Sequence, residues 1–203
     1  MMKDLPDKLL IATKNKGKIE EIRALLRDIP ILLLPLSSFP DLPDVLEDGA
    51  TFRENALKKA RIIAHSSGIV TIADDSGLCI DALDGRPGVL SARYGGERAT
   101  DSEKCALILE EMDQVPEHLR TARFVCIIAL ITPQGEEKVF EGTCEGRIIR
   151  EMRGRAGFGY DPIFYHPDSG HTFAEMDSEK KNRVSHRGRA LHELRDYFKE
   201  LSG

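Results

Sequence analysis

The sequence lacks most features of a membrane, secreted or nucleic-acid-binding protein. Its 203 residues include 29 lysines and arginines against 34 aspartates and glutamates, and this net charge of −5 is opposite to the basic surplus of a general nucleic-acid binder. The longest apolar run, Phe124 to Ile131, has eight residues, where a membrane-spanning helix needs about twenty. The N-terminal residues show neither the basic stretch nor the apolar core of a signal peptide. We therefore expect a soluble globular protein that binds neither a membrane nor a nucleic acid.

Zinc-binding and nucleophile motifs are equally scarce. The six histidines form no HxxxH or HExxH pattern, no GxSxG motif is present, and the four cysteines form no CxxC pair. Three of the cysteines lie inside apolar segments, which predicts buried free thiols and a cytoplasmic protein. A zinc site, a serine-hydrolase triad and a cysteine nucleophile therefore have no support.

The sequence does contain an alternation of strand and helix patterns. No linker or repeat divides the chain, which predicts a single domain over residues 1–203. Capping boxes pair Thr51 with Glu54, and Thr100 with Glu103, at the start of two helices. The predicted strands cover residues 8–13, 31–36, 69–73, 121–132 and 137–150, and the predicted helices cover residues 16–28, 51–68, 100–112 and 187–201. This order predicts an α/β fold with a mixed sheet flanked by helices.

A lysine-rich loop separates the first predicted strand from the first helix. It consists of Thr13, Lys14, Asn15, Lys16, Gly17 and Lys18. The start of a helix offers unpaired N–H groups and the positive end of the helix dipole, and both attract phosphate. The GxxxxGK[ST] spacing of a Walker loop is absent. A solvated, lysine-rich turn is the alternative interpretation.

Acidic residues form a second cluster. Asp74 and Asp75 follow an apolar strand that we predict to end at Ala73, and Glu47 and Asp48 precede a helix. Carboxylate oxygens suit Mg²⁺, which is usually held by one or two carboxylates together with substrate phosphates. The same sequences are also common in ordinary turns. The pattern alone leaves both interpretations open.

Two further segments favour ligand contacts without requiring them. Gly157 to Pro162 holds two aromatic residues separated by glycine, and such rings either stack on a base or fill the core. Residues 180–189 are rich in lysine and arginine and include His186 at a predicted helix start. This basic segment either faces solvent or donates hydrogen bonds to an anion or carbonyl.

Taken in order, these segments resemble the inosine/xanthosine triphosphate pyrophosphatases, which remove deaminated purine nucleotides. Six segments carry the resemblance, and they span nearly the whole chain. They are ATKNKGKIEEI at 12–22, EDGATFRENALKKA at 47–60, ADDSGL at 73–78, GRPGVLSARYGG at 85–96, GFGYDP at 157–162 and SHRGRAL at 185–191.

The resemblance implies a long, curved mixed sheet that divides one domain into two lobes with a central nucleotide cleft, and a homodimer as the assembly. It implies Mg²⁺-dependent hydrolysis of ITP, dITP or XTP to the monophosphate and pyrophosphate. Carried over to this sequence, Thr13 to Lys18 bind the phosphates, Glu47 and Asp75 bind the metal, and Asp75 and Lys18 are catalytic. The remaining implied substrate contacts are Ser76, Phe158, Gly159, Tyr160, Asp161, Lys181, His186 and Arg187.

Elementary chemistry suggests how the base is selected. A 6-oxo purine presents two acceptors, O6 and N7, which match the two donors of an arginine fork such as that of Arg187. Adenine presents a 6-amino donor instead, which leaves buried donors unpaired. Two alternatives remain at this point: a Maf-like pyrophosphatase acting on pyrimidine nucleotides, and a nucleotide-binding regulator that does not hydrolyse its ligand.

Overall fold

The computed structural model describes residue 2 and residues 4–202, and it has an α/β architecture. The seven strands are β1 (Lys8–Ile11), β2 (Leu32–Pro35), β3 (Thr71–Ile80), β4 (Thr121–Ile131), β5 (Glu137–Ile148), β6 (Phe164–His166) and β7 (His171–Thr172). The α-helices within the described residues are α1 (Lys16–Leu25), α2 (Phe52–Ser67), α3 (Asp101–Glu111), α4 (Ser178–Val184) and α5 (His186–Leu201). The sheet order is β2-β1-β3-β4-β5-β6-β7. It is mixed, because β1 pairs in parallel with β2 and β3 while β6 pairs antiparallel with β5 and β7.

The helix boundaries follow the capping residues identified in the sequence. The Thr51 side chain accepts a hydrogen bond from the Glu54 N–H at the start of α2, and Gly68 ends that helix in the left-handed region at φ 68°. Thr100 and Glu103 form a complete capping box before α3. These predicted helix starts are confirmed.

The prediction for β3 is wrong at its C-terminal end. The expected strand stopped at Ala73, whereas β3 continues through Asp74 and Asp75 to Ile80. Polar residues normally end a strand because water satisfies them better than a core does. Here buried cations satisfy the Asp74 carboxylate, so the strand continues through this position.

The chain forms two compact units. The first comprises the residues up to Asp75, Cys126–Gly142 and the residues from Arg187 onward; the second comprises Ser76–Val125 and Thr143–His186. In the first unit, hydrophobic side chains cover both faces of the strands. Ile72 packs in a cluster with α1 and α5, and Ala73 packs in a cluster with α2. Because successive strand residues point to opposite faces, Asp74 lies on the α1 and α5 side, and Asp75 lies on the α2 side.

The second unit has its own core, built from α3, the remaining parts of β3 to β5, and β6. A buried arginine closes one end of it. Arg120 is 1% exposed, and its Nε and Nη2 donate to the carbonyls of Ile148 and Ile149 at 2.8 and 3.0 Å. Its Nη1 donates to the carbonyl of Met112, the residue that ends α3. One side chain therefore satisfies three backbone acceptors, two of them on the buried residues Met112 and Ile148.

All four cysteines are free thiols, as predicted, and Cys105, Cys126 and Cys144 are buried. None of the helices within the described residues is long and apolar enough to cross a membrane.

Replacing Arg120 with methionine tests its role in the second unit. We expect the free energy of unfolding to fall by at least about 2 kcal/mol, because each buried carbonyl left without a donor costs about 1–3 kcal/mol. Urea unfolding monitored by circular dichroism measures the change. Arg98→Met, at an exposed arginine, is the control. Equal stability of the two variants would show that the three carbonyl contacts contribute nothing specific.

Candidate active site

The lysine-rich loop lies directly between β1 and α1. The Asn15 side chain caps the helix by accepting a hydrogen bond from the Lys18 N–H at 3.1 Å, and the Asn15 N–H donates to Thr13 Oγ1 at 3.2 Å. The loop is therefore ordered as a helix entry with its N–H groups at the end of β1. Lys14 pairs with Asp44 at the surface, while the Lys18 side chain is only 15% exposed and lies close to Asp74. This geometry is typical of anion-binding helix starts.

A buried network of ion pairs surrounds Asp74, and we call it the Asp74 network. Asp74 Oδ1 accepts a hydrogen bond from Lys18 Nζ, and Oδ2 accepts from Arg187 Nε at 2.7 Å and from Cys126 Sγ at 3.2 Å. Arg187 Nη1 donates to Glu21 Oε2 at 2.6 Å. Burial opposes the ionisation of Asp74, but the charges of Arg187 and Lys18 outweigh it and hold the Asp74 pKa well below its usual value. Two carboxylates and two cations thus join α1, β3 and α5.

Asp75 has the opposite electrostatic character. It is 6% exposed, and burial raises its pKa from 3.8 to about 6. The charges of Lys18 and Lys59 lower this pKa, whereas the nearby charge of Glu47 raises it. Lys59 also forms an ion pair with Glu47. At neutral pH Asp75 is therefore mostly ionised, but it accepts a proton more readily than an exposed aspartate does.

Glu47 and Asp75 are suited to hold a divalent cation. Within residues 4–202, no cluster of three or more protein ligands is assembled. Mg²⁺ usually retains several waters and takes only one or two carboxylates, with substrate phosphates as further ligands. Two carboxylates close enough to raise a pKa, beside a loop that attracts phosphate, match that ligand set. A pocket of about 180 Å³ is lined by Thr13, Lys14, Glu47 and Lys59, among others.

The second unit contains a separate cluster of predicted site residues. Asp161 Oδ2 accepts hydrogen bonds from Lys181 Nζ at 2.5 Å and from the Phe158 N–H at 2.9 Å. Lys181 Nζ also lies 4.7 Å from the centroid of the Phe158 ring. A side chain at Gly157 would place its Cβ 2.0 Å from Asp161 Oδ2, and φ there is +75°, so only glycine fits. The loop is thus built around the Asp161 carboxylate.

The two aromatic residues of this loop have different environments. Tyr160 is 4% exposed, packs in the core of the second unit and donates its hydroxyl to the Ser91 carbonyl at 2.9 Å. Phe158 is half-buried. Of the two interpretations left open by the sequence, core filling describes Tyr160, and the contact of Phe158 with a base stays a prediction. The Gly159 N–H between them donates to Asp101 Oδ2 at 2.7 Å.

His186 is buried at the start of α5. Its ring stacks on Phe124, with centroids 4.6 Å apart and an interplanar angle of 10°. Ser76 lies in β3 directly after Asp75.

Comparison with known proteins identifies the family of this chain. The model of the Ham1 family matches residues 9–197. The chain belongs to the Ham1 family. A protein of Geobacter sulfurreducens named dITP/XTP pyrophosphatase is 53% identical over 191 residues, which are 94% of this chain and 96% of that protein.

Solved structures agree with this assignment. A HAM1 protein from Coxiella burnetii has a TM-score of 0.88 and 44% identity, over 95% of this chain and 98% of that one. A nucleoside-triphosphatase, or dITP/XTP pyrophosphatase, from Mycobacterium abscessus has a TM-score of 0.76 and 45% identity, over 92% and 98% of the two chains. The predicted resemblance to the inosine/xanthosine triphosphate pyrophosphatases and the predicted α/β fold with a mixed sheet are confirmed.

Sequence reasoning missed several residues that the structure adds to the candidate site. Asn55 and Lys59 lie one turn apart on α2 and interact with Asp75 and Glu47, and Glu21 completes the Asp74 network. The one signal available was an asparagine beside the apolar stripe of α2, where an amide needs a partner.

Arg187 has a different environment from the one that the sequence argument required. Two of its three guanidinium nitrogens, Nε and Nη1, bond to Asp74 and Glu21. A two-pronged contact with the O6 and N7 of a purine would therefore need the third nitrogen or a rearrangement of these ion pairs. The contact of Arg187 with the base stays a prediction.

The adjacent aspartates are expected to respond to asparagine substitution in opposite directions. Asp74→Asn removes the carboxylate between two buried cations, so the free energy of unfolding should fall by about 3 kcal/mol or more. Asp75→Asn removes a buried carboxylate with a raised pKa, so that free energy should rise at pH 8 by up to about 3 kcal/mol, at about 1.4 kcal/mol per pKa unit. Urea unfolding in EDTA measures both changes.

The pH dependence follows from the sign of the Asp75 shift. Between about pH 4 and 6 the native state binds more protons at Asp75 than the unfolded state does, so the wild type loses stability as pH rises through this range. The advantage of Asp75→Asn should therefore shrink as pH is lowered through 6. Asp84→Asn, at an exposed residue with φ +52°, should stay within about 0.5 kcal/mol of wild type. A stabilised Asp74→Asn protein would contradict the network.

Proposed function

We propose that this protein hydrolyses deaminated purine nucleoside triphosphates, ITP, dITP and XTP, to the nucleoside monophosphate and pyrophosphate. The observation that carries this proposal is a buried carboxylate, Asp75, whose pKa is raised to about 6. It lies close to Glu47, to Lys59 on α2 and to Lys18 at the end of the loop between β1 and α1. The relatives named dITP/XTP pyrophosphatase support the substrate class.

Hydrolysis of the triphosphate requires stabilisation of its negative charge. Attack on a polyphosphate needs positive groups around the transferring phosphoryl group, and a base that orients the attacking water. Lys18 is fixed by Asp74, and Lys59 by Glu47. With these lysines in place, the loop from Thr13 to Lys18 binds the phosphates and Asp75 accepts the water proton. Bound Mg²⁺, held by Glu47 and Asp75, would supply further charge and lower the pKa of a coordinated water.

We assign the nucleoside end to the aromatic and charged residues that the family resemblance implies. Phe158 offers a ring face for stacking, while Asp161 and Lys181 supply a buried acceptor and donor. His186 and Arg187 complete the proposed contacts. Rejection of adenine follows because its 6-amino donor would face donors in a buried site.

Two other functions are less consistent with these residues. A Maf-like pyrimidine pyrophosphatase has no evident use for the Phe158, Asp161 and Lys181 cluster. A regulator that binds nucleotide without hydrolysing it has no need for a carboxylate with a raised pKa next to Glu47.

The proposal includes a homodimer, which the family resemblance implies, and a cytoplasmic location, which suits four free thiols. Light scattering of the purified protein distinguishes dimer from monomer.

A nucleotide panel tests the reaction and the substrate class together. Purified protein with Mg²⁺ is incubated with ITP, dITP, XTP, ATP, GTP and UTP, and pyrophosphate and orthophosphate are assayed separately. We expect pyrophosphate from the first three and little from ATP or GTP. Release of orthophosphate would contradict the proposed bond cleavage. Preferred hydrolysis of UTP would favour the Maf-like alternative, and tight binding without turnover would favour the regulator.

Asp75→Asn tests the proposed base. The amide keeps the size of the side chain but cannot accept the water proton, so kcat should fall by about 10²- to 10⁴-fold. Steady-state pyrophosphate release from ITP measures the loss, and far-UV circular dichroism verifies the fold. Asp84→Asn is the matched control and should keep wild-type kcat. A near-wild-type rate for Asp75→Asn would remove this residue from the mechanism.

A further inference from the structure

Asn55 has a buried amide near the start of α2. The other buried residues of this helix are alanine and isoleucine. Asn55 is 1% exposed, in the first turn of α2, and Ala56 and Ala60 beside it are fully buried. Asparagine is unfavourable within a helix, and burying its amide costs free energy unless both ends find partners. A specific use of the side chain would account for its presence.

One end of the amide holds the segment that carries Glu47. Asn55 Oδ1 accepts a hydrogen bond from the Gly49 N–H at 2.7 Å. A Cβ added at Gly49 would lie 2.7 Å from Asn55 Oδ1 and 2.9 Å from Glu54 Cβ, so the absence of a side chain at Gly49 allows this close approach. Gly49 is two residues from Glu47, and the bond therefore ties the Glu47 segment to the first turn of α2.

The other end of the amide faces Asp75. The Asn55 side chain lies within hydrogen-bonding reach of the Asp75 carboxylate. Asn55 Nδ2 is buried and completes no well-formed hydrogen bond within residues 4–202. The Asn55 Nδ2 donor therefore lies beside Asp75, one of the two candidate metal ligands. The Oδ1 acceptor of the same amide restrains the segment that carries Glu47, the other candidate ligand.

We propose that Asn55 is a positioning residue that sets the spacing of Glu47 and Asp75, the two carboxylates that share the cation. This inference rests on the proposed function and deepens it. An amide suits the role because it accepts from Gly49 at one end and donates towards a carboxylate at the other. An aspartate would add a third negative charge, and leucine could neither donate nor accept. Partners that orient metal ligands typically contribute 10- to 100-fold to metal affinity.

The test measures cation binding separately from turnover. Mn²⁺ is titrated into the full-length protein without nucleotide, and free Mn²⁺ is followed by electron paramagnetic resonance. Asn55→Leu, which has nearly the same shape, should raise the Mn²⁺ dissociation constant at least tenfold. Gly49→Ala, which forces the segment away from Asn55 Oδ1, should weaken binding in the same direction. Gly49→Ala also decides the question if Asn55→Leu does not fold.

A matched control separates positioning from helix stability. Thr51→Ala removes the N-cap of the same helix and should lower Tm while leaving Mn²⁺ affinity within twofold of wild type. Wild-type Mn²⁺ affinity in either folded test variant would overturn the inference, and so would weakened binding in Thr51→Ala equal to that in Asn55→Leu. The nucleotide panel is read independently: a wild-type protein that binds Mn²⁺ but releases no pyrophosphate would overturn the proposed function alone.

Discussion

The structure depends on the pairing of one buried carboxylate with two cations. Asp74 pairs with Lys18 and Arg187, and Glu21 supplies the second negative charge, in an interior where an unpaired charge of either sign would be very unfavourable. Because Lys18 belongs to α1 and Arg187 to α5, the same carboxylate fixes two helices against β3. Lys18 is consequently held at the phosphate loop by a group that is itself immobile. A lysine side chain held in this way has less conformational entropy to lose on binding an anion than one on an unrestrained stem.

The next residue along the strand carries the opposite electrostatic character. Asp75 is buried as well, but its charge is only partly compensated, which is why its pKa rises while that of Asp74 falls. A carboxylate of this kind costs stability and provides basicity. The contrast arises from strand geometry: alternate residues face different helices, and these helices carry different partners. Two chemically identical neighbours thereby acquire pKa shifts of opposite direction.

Much of the architecture was predictable from local sequence. Capping residues at Thr51 and Thr100 and the apolar periodicities located the helices, because these signals act within a few residues. The extent of β3 was not predictable, since its polar middle is stabilised by side chains more than fifty residues away, such as Lys18 and Arg187. Lys59 and Asn55 were missed for the same reason. Nothing in their own helix marks them as partners of Asp75, and the environment of Arg187 likewise appears only in three dimensions.

The position of Asp74 and Asp75 on opposite faces of the sheet also constrains how this sequence can change in evolution. Inserting or deleting one residue earlier in β3 would exchange the two carboxylates between the faces of the sheet, because a one-residue slip reverses every side chain. Asp74 would then face α2 and Asp75 would face α1 and α5, so a single insertion or deletion would separate both carboxylates from their partners. Length variation in this family should therefore collect in surface segments such as the turn between β4 and β5, and β3 should change by substitution alone.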